Sequence, residues 1–466
     1  MKHTTTQAER IAADLGQQIL AGTLGPGSRL PSLRQYARAQ DCAKNTVIAA
    51  YDLLVERGLA ESHHGRGFFV CGAHRQAPRK REDDEEQVGY GRAIDTIWLM
   101  RQQAVRKPGS SHLGEGFPPV DWLMDMRLDK FQRQIVRNGI GGLFRYGNRY
   151  GYPALRQLLI RRLAGYGIET VPRQIVTTLG ANHALDLIIR RYVAPGDPVL
   201  VEEPGYYPLF GKLRLQGARL VPIPRTEDGP DLEALQQALA RERPQLFFLQ
   251  SAGHNPTGTD ISPFRAHRIL QLAEAHGTLV VENDALADFK PAATLRLSAL
   301  DQLRNTLYVG SFSKSVSAAL RVGFIAGDKT RIEELADLKM LLHIAGSEYG
   351  ERIMEVVLQE GNFLLHTTRL QEKLRVATEA GRQTLHSLGA QVYGNPGHSL
   401  YLWARFPDID DTRQLTERLL PRGVVLAPGA VFHTASHIVS PWTRLNVAYL
   451  QDPVFLESMR AALGRD

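Results

Sequence analysis

From residue 171 onward, short apolar runs alternate with amphipathic segments, and few folds satisfy that pattern. Runs 171–178, 198–202, 245–249, 278–282 and 306–309 read as strands, and 182–192 and 263–276 as helices among them. Strands that are apolar at nearly every position are buried on both faces. That requires helices on both sides of a mostly parallel sheet, an α/β domain. Ligands of such sheets collect at the loops beyond the strand ends, and the chemically suggestive residues fall on those loops.

The densest of them is Ser311-Phe312-Ser313-Lys314-Ser315, directly after the apolar run 306–309, with Arg321 seven positions beyond the lysine. A lysine among small hydroxyls suits a Schiff base to an aldehyde, and hydroxyls with a guanidinium suit a phosphate. Pyridoxal 5'-phosphate (PLP) needs both. Thr178-x-Gly180-Ala181-Asn182 opens a helix whose first N–H groups are free for a phosphate. Glu203-Pro204-x-Tyr206 offers an aromatic face to a pyridine ring, and His254-Asn255-Pro256-Thr257-Gly258 brings an amide to a tight turn. Tyr146-Gly147 precedes Gly151-x-x-x-Leu155-Arg156, and Arg444-Leu445 supplies a guanidinium suited to a carboxylate. Taken singly, Tyr206 reads as a core aromatic, Asn255 as a turn former and Arg444 as an ion-pair partner. Their order in one chain carries the reading.

The N-terminal segment has another character. Residues 1–81 hold 12 Lys/Arg against 6 Asp/Glu, nearly the whole of the chain's +7 formal charge, which points to a polyanionic partner. A helix over 8–21 stops at Gly22, Gly25, Pro26 and Gly27. Ser32 caps a second helix, a third covers 43–57, and 59–62 and 67–71 form a hairpin wing. Three helices and a wing make a winged helix-turn-helix, with the third helix placed to enter a major groove of double-stranded DNA. Residues 73–110 include Arg79-Lys80-Arg81 followed by Glu82-Asp83-Asp84-Glu85-Glu86, a solvated, flexible tether. The two cysteines, Cys42 and Cys71, have no CxxC spacing, so neither a disulfide scaffold nor a metal site is expected. No membrane-length apolar run and no apolar signal core occur, so a cytoplasmic location is expected.

Two resemblances join these readings. Gly22-x-Leu24-x-Pro26-Gly27-x-x-Leu30-Pro31-Ser32-x-Arg34, Asn45-Thr46-Val47, Ala50-Tyr51-x-x-Leu54, Gly58-Leu59 and Gly65-x-Gly67-x-Phe69-Val70 resemble the GntR family of bacterial regulators over 4–72. That implies DNA-facing Arg34, Lys44, Asn45, Thr46, His64 and Gly65. Ile48 stands where many relatives carry a polar or basic residue, so base preference does not transfer. Residues 111–466 resemble the fold-type I aminotransferases. There the resemblance implies that Lys314 carries PLP and Asn255 bonds its ring oxygen, while Tyr206 stacks on the ring. It assigns the phosphate to Ala181, Asn182, Ser311, Ser313 and Arg321, with Tyr146 reaching it from the partner subunit. Arg444 is the implied anchor for an amino-acid carboxylate. A GntR head on an aminotransferase-like domain resembles the MocR subfamily of transcriptional regulators. This implies a homodimer that binds DNA, PLP and an amino compound.

One departure stands out. The aminotransferase pattern puts an aspartate against the pyridine nitrogen and then a tyrosine toward the ring oxygen. Here the run is Glu282-Asn283-Asp284-Ala285-Leu286, with Asn283 at the aspartate's place and Leu286 or Ala285 at the tyrosine's. Asp284 lies one residue along, which turns its side chain to the other face unless a bulge intervenes. Asparagine cannot supply a negative charge to the ring nitrogen. Exchange of the lysine for an amine is therefore expected to survive while transamination is weak.

Overall fold

The computed structural model describes residues 6–20, 23–25, 27–63, 67–71, 96–104, 109–124, 126, 128, 131, 144–359, 362–435 and 437–464. The chain divides into two compact units, Met1–Arg92 and Ala93–Asp466.

The first unit contains helices α1 (Gln7–Leu20), α2 (Leu33–Ala39) and α3 (Lys44–Glu56), then strands β1 (Ala60–His63) and β2 (Gly67–Val70), which pair antiparallel. Ile11, Leu15 and Ile19 of α1 meet Val47, Ala50, Tyr51 and Leu54 of α3 in one buried core, as the helical spacing requires. Ser32 caps α2 by accepting the Gln35 N–H. The Tyr51 hydroxyl donates to the Pro31 carbonyl at 2.9 Å, tying α3 to the entry of α2. The winged-helix reading holds, with α3 one residue shorter at each end because Ala43 and Arg57 act as its caps. His64 and Gly65 lie outside the described residues, as does most of the expected tether.

The second unit is built on an eight-stranded sheet: β3 (Ile175–Thr178), β4 (Pro198–Glu203), β5 (Arg219–Thr226), β6 (Gly229–Pro230), β7 (Leu246–Leu249), β8 (Leu279–Asp284), β9 (Thr306–Ser311) and β10 (Gly323–Ala326). Their spatial order is β3-β10-β9-β8-β7-β4-β5-β6. β9, β8, β7, β4 and β5 run parallel, while β10 runs antiparallel to both its neighbours. Successive side chains leave the sheet on opposite faces. Val199, Val201, Val281 and Val309 thus join one core with Leu185 and Ile188 of the helix Ala181–Tyr192. Leu200, Phe247 and Val280 join another with Ile269 of the helix Pro263–His276. The strand expected over 171–178 begins only at Ile175, because Pro172–Gln174 forms a 3₁₀ turn.

A smaller antiparallel sheet, β11 (Gln391–Val392), β12 (Tyr401–Arg405), β13 (Ala427–Pro428) and β14 (Trp442–Asn446), has the order β11-β12-β14-β13. It packs Leu402 and Leu445 against Leu370 and Leu374 of the helix Asn362–Ser387. The helix Thr96–Ala104, which falls within the span expected to be a flexible tether, instead buries Leu99 in the core of the large sheet, because its apolar side chain finds a packing surface there. Among the described residues no helix is long and apolar enough to cross a membrane.

Candidate cofactor site

The antiparallel strand β10 makes the site. β9 ends at Ser311, the chain loops through Lys314, and β10 returns with Gly323 opposite both Ser311 and Thr178. That return sets Arg321 beside Gly180, which precedes the helix Ala181–Tyr192. The Arg321 guanidinium donates to the Leu179 carbonyl at 2.8 Å and to Ser313 Oγ at 3.3 Å. Gly180 has φ +77°, and a Cβ there would lie 2.8 Å from Arg321 Nη2. Only glycine leaves this cradle open. Free helix N–H groups, two seryl hydroxyls and a guanidinium then converge where a phosphate fits.

The cradle is one end of a cavity of about 100 Å³. Ala181, Asn182, Ser311, Ser313 and Arg321 line that end, and Lys314, Asn255, Asn283 and Tyr206 line the rest. Nine residues separated by up to 140 positions in the sequence thus share one cavity, as the sequence reading expects (Ala181 to Arg321). Phe117, Gln250, Ala285 and Leu286 complete it. No carboxylate lines it, while Lys314 and Arg321 do, so its charge favours an anion. Burial pushes the Tyr206 phenol well above its ordinary pKa, leaving a neutral ring as one wall.

Among the described residues two amide oxygens are buried without a partner, Asn182 Oδ1 and Asn283 Oδ1. Both belong to residues lining the cavity, so each awaits a donor that the protein itself does not provide. The cradle, the lysine, the neutral ring and these two oxygens fit PLP.

The one-residue slip at β8 is visible in full. Asn283 shares the face of Val281 and reaches the cavity. Asp284 points through the other face, where it accepts from Arg296 Nε at 2.7 Å and from the Tyr308 hydroxyl at 2.8 Å. β8 pairs with β9 residue for residue through Asp284 and Gly310, so no bulge turns Asp284 inward. Its neighbour Glu282 is likewise occupied, accepting the Leu297 and Ser298 N–H groups at 2.8 Å.

The remaining candidates lie outside the cavity. Arg444 is buried behind it, donating to Asn255 Oδ1 at 2.9 Å and to the Gly114 carbonyl at 2.6 Å, with its guanidinium 4.5 Å from the Tyr401 ring centre. It therefore holds Asn255 in place from behind. Tyr146 is 80% exposed and does not line this cavity. In the first unit Arg34, Lys44 and Asn45 are exposed and Thr46 is half-buried, with Lys44–Thr46 forming the first turn of α3.

Sequence reasoning missed Tyr401. Its hydroxyl accepts from Lys314 Nζ at 2.9 Å and donates to the Gly116 carbonyl at 3.1 Å. The only signal was an apolar run, residues 400–404, which marks a strand and says nothing of a site 87 positions upstream.

Comparison with known proteins agrees with this geometry. Residues 112–457 match the family described as aminotransferase class I and II, and residues 7–70 match the bacterial regulatory proteins of the gntR family. The chain is 30% identical over 356 residues to a 2-aminoadipate transaminase of Thermus thermophilus, covering 74% of this chain and 87% of that protein. It is 28% identical over 448 residues to the uncharacterized HTH-type transcriptional regulator YdcR of Escherichia coli, covering 95% of both. The crystal structure of LysN, the α-aminoadipate aminotransferase of Thermus thermophilus complexed with N-(5'-phosphopyridoxyl)-L-leucine, superposes with a TM-score of 0.71 at 25% identity. That match covers 78% of this chain and 95% of the other. The chain therefore belongs to the aminotransferase class I and II family, and its GntR-type head places it in the MocR subfamily.

Proposed function

We propose that the protein is a DNA-binding transcriptional regulator that senses PLP together with an amino compound. The observation that carries the reading is the union, in one chain, of a helix-opening turn at Lys44–Thr46 with exposed Lys44 and Asn45 and a lysine-bearing, carboxylate-free cavity. Bound PLP would supply an electrophilic carbon for amines. The protein's own part is to hold and orient. Ala181, Asn182, Ser311, Ser313 and Arg321 receive the phosphate, Tyr206 and Asn255 fix the ring, and Lys314 presents its amine. Asn283 gives the ring nitrogen a neutral partner, which supports binding and amine exchange over transamination. Arg444, whose arms are held by Asn255 and the Gly114 carbonyl, would take a ligand carboxylate only by giving up one of these partners.

Regulation then requires that the ligand differ in affinity between two arrangements of the assembly. A homodimer with two heads is the assembly that fits, with Tyr146 completing the partner's site. The exposed apolar stretch Met340, Leu341, Leu342 and Ile344 supports it.

The test is an absorbance titration of the purified protein with PLP, repeated with Lys314→Ala and with amino acids. A visible band that requires Lys314, and that amino acids shift without consuming it, upholds the sensor. Full conversion by an amino acid, reversed by a keto acid, would make the domain a working aminotransferase. Without any band the cofactor reading fails. A parallel DNA titration should show affinity falling steeply with salt, because the head's charge is concentrated in a small unit.

A further inference from the structure

Lys314 has one polar partner among the described residues, and it comes from the smaller sheet. Tyr401 opens β12 and is fully buried. Its oxygen receives an Nζ–H of Lys314 at 2.9 Å and hands its own proton to the Gly116 carbonyl at 3.1 Å. That carbonyl is not free to move. The segment around it is tied down by Ser111 N–H to the Gly423 carbonyl at 2.8 Å, Gly114 N–H to the Val425 carbonyl at 2.7 Å, and Asn446 Nδ2 to the Phe117 carbonyl at 2.7 Å. With the phenolic proton committed to Gly116, the oxygen faces Lys314 with its lone pair. The Tyr401 ring is held in turn under the Arg444 guanidinium, 4.5 Å away.

We infer that Tyr401 is the positioning residue for Lys314, an acceptor that aims the amine into the cavity. The inference rests on the PLP reading for its consequence and on the protein alone for its geometry. Among the described residues no other side chain is hydrogen-bonded to the amine. Arg321 and Arg444 are cations, Tyr206 is a neutral phenol on the opposite wall, and Phe117 shows only its ring, 5.8 Å from Nζ. Ala285 and Leu286, the cavity residues that follow β8, have no hydroxyl. Glu282 and Asp284 leave β8 on its other face. The acceptor therefore comes from across the site. A substitution in the smaller sheet can thus alter the chemistry of a lysine in the larger one.

Tyr401→Phe keeps the ring beneath Arg444 and removes only the oxygen. Two measurements on the full chain test it. In cofactor-free protein, labelling of Lys314 by acetic anhydride, followed by mass spectrometry at fixed pH, should be faster in Tyr401→Phe. About threefold to tenfold is expected, the size of one net hydrogen bond. In protein loaded with PLP, the pH profile of the Lys314-dependent absorbance band should move to lower pH by about one unit, because an acceptor on N–H favours the protonated form. Unchanged labelling together with an unchanged profile overturns the inference. A profile that moves to higher pH also overturns it, since the phenol would then be acting as a donor to the ligand. If wild-type protein shows no band, the cofactor reading has failed on its own, and the labelling rates still decide the role of Tyr401. A matching thermal unfolding midpoint for both proteins shows that Tyr401→Phe has not disturbed the fold.

Discussion

Two adjacent residues carry opposite duties, and that contrast is measurable. Asn283 faces the cavity with an unpartnered oxygen, whereas Asp284 is buried in an ion pair with Arg296 that also takes the Tyr308 hydroxyl. Removing one member of a buried pair leaves an uncompensated charge and costs about 3–5 kcal/mol. Asp284→Ala should therefore lower stability by about that much in chemical denaturation, or prevent folding. Asn283→Ala leaves no charge behind and should change stability by less than about 1 kcal/mol, while weakening retention of PLP in equilibrium dialysis. Asn283→Asp introduces a carboxylate where the cavity has none. It should speed conversion of the cofactor band by amino acids at least ~10-fold if a charged partner for the ring nitrogen is what transamination lacks. This level was the most legible in the sequence. Period-two alternation already separates 283 from 284, and the parallel register only removes the escape by a bulge. Tyr401 was illegible because its partner lies on another sheet, and only packing brings a strand of one sheet over a loop of the other.

Elements show where pattern reasoning stops. β7, β8 and β9 are uniformly buried and β4 is buried at all but its two end residues, so their apolar runs announce them. β5 escapes notice because Pro222 and Pro224 interrupt its run. It tolerates them because beyond Arg225 and Thr226 only one of its edges is paired. β10 is four residues long and closely follows the lysine loop, so its chemistry masks its role as a strand. The helix Ala181–Tyr192, which heads the phosphate cradle, contains a titratable joint. His183 Nδ1 accepts the Leu179 N–H at 2.9 Å, and its ring meets His343 edge-on at 4.5 Å. Burial, helped by His343 and Lys339, lowers its pKa to about 4. A histidine depressed in the folded state binds its proton more readily when unfolded. Its contribution to stability is thus complete above the ordinary value of 6.5 and lost as pH falls toward 4. Protonation would also remove the acceptor for Leu179 N–H and loosen the first turn. The expected outcome is an unfolding midpoint that drops between pH 6.5 and 4, and a shallower drop for His183→Asn, read by thermal melts across that range.

At the scale of the whole molecule, the second unit carries a surface that its own protomer leaves unexplained. Leu341 is 86% exposed, with Met340, Leu342 and Ile344 beside it, and Phe144 and Tyr146 are 81% and 80% exposed. The two segments adjoin, since a Cβ on Gly147 would meet Glu348 and Ala345. Ile344 also adopts φ +61°, a region that a β-branched residue enters only when its surroundings hold it there. Its N–H donates to the Met340 carbonyl at 2.9 Å, so this conformation closes the helix Lys329–His343. In a two-fold dimer each residue of such a patch is used twice. An apolar residue at the centre of an interface is worth about 2–4 kcal/mol, so Leu341→Glu should weaken dimerisation at least ~30-fold while leaving the monomer folded. Analytical ultracentrifugation would read the change directly. The same variant links the surface to function. Two heads on one assembly bind a paired site with a high effective concentration that a lone head lacks. Affinity for such DNA should therefore fall by about 10²-fold or more in Leu341→Glu, while binding to a single half-site stays as in the wild type. If the variant remains dimeric, the patch has another purpose and Tyr146 serves no partner. If it becomes monomeric yet binds paired sites unchanged, each head acts alone, and a ligand at Lys314 would have no dimer through which to speak to DNA.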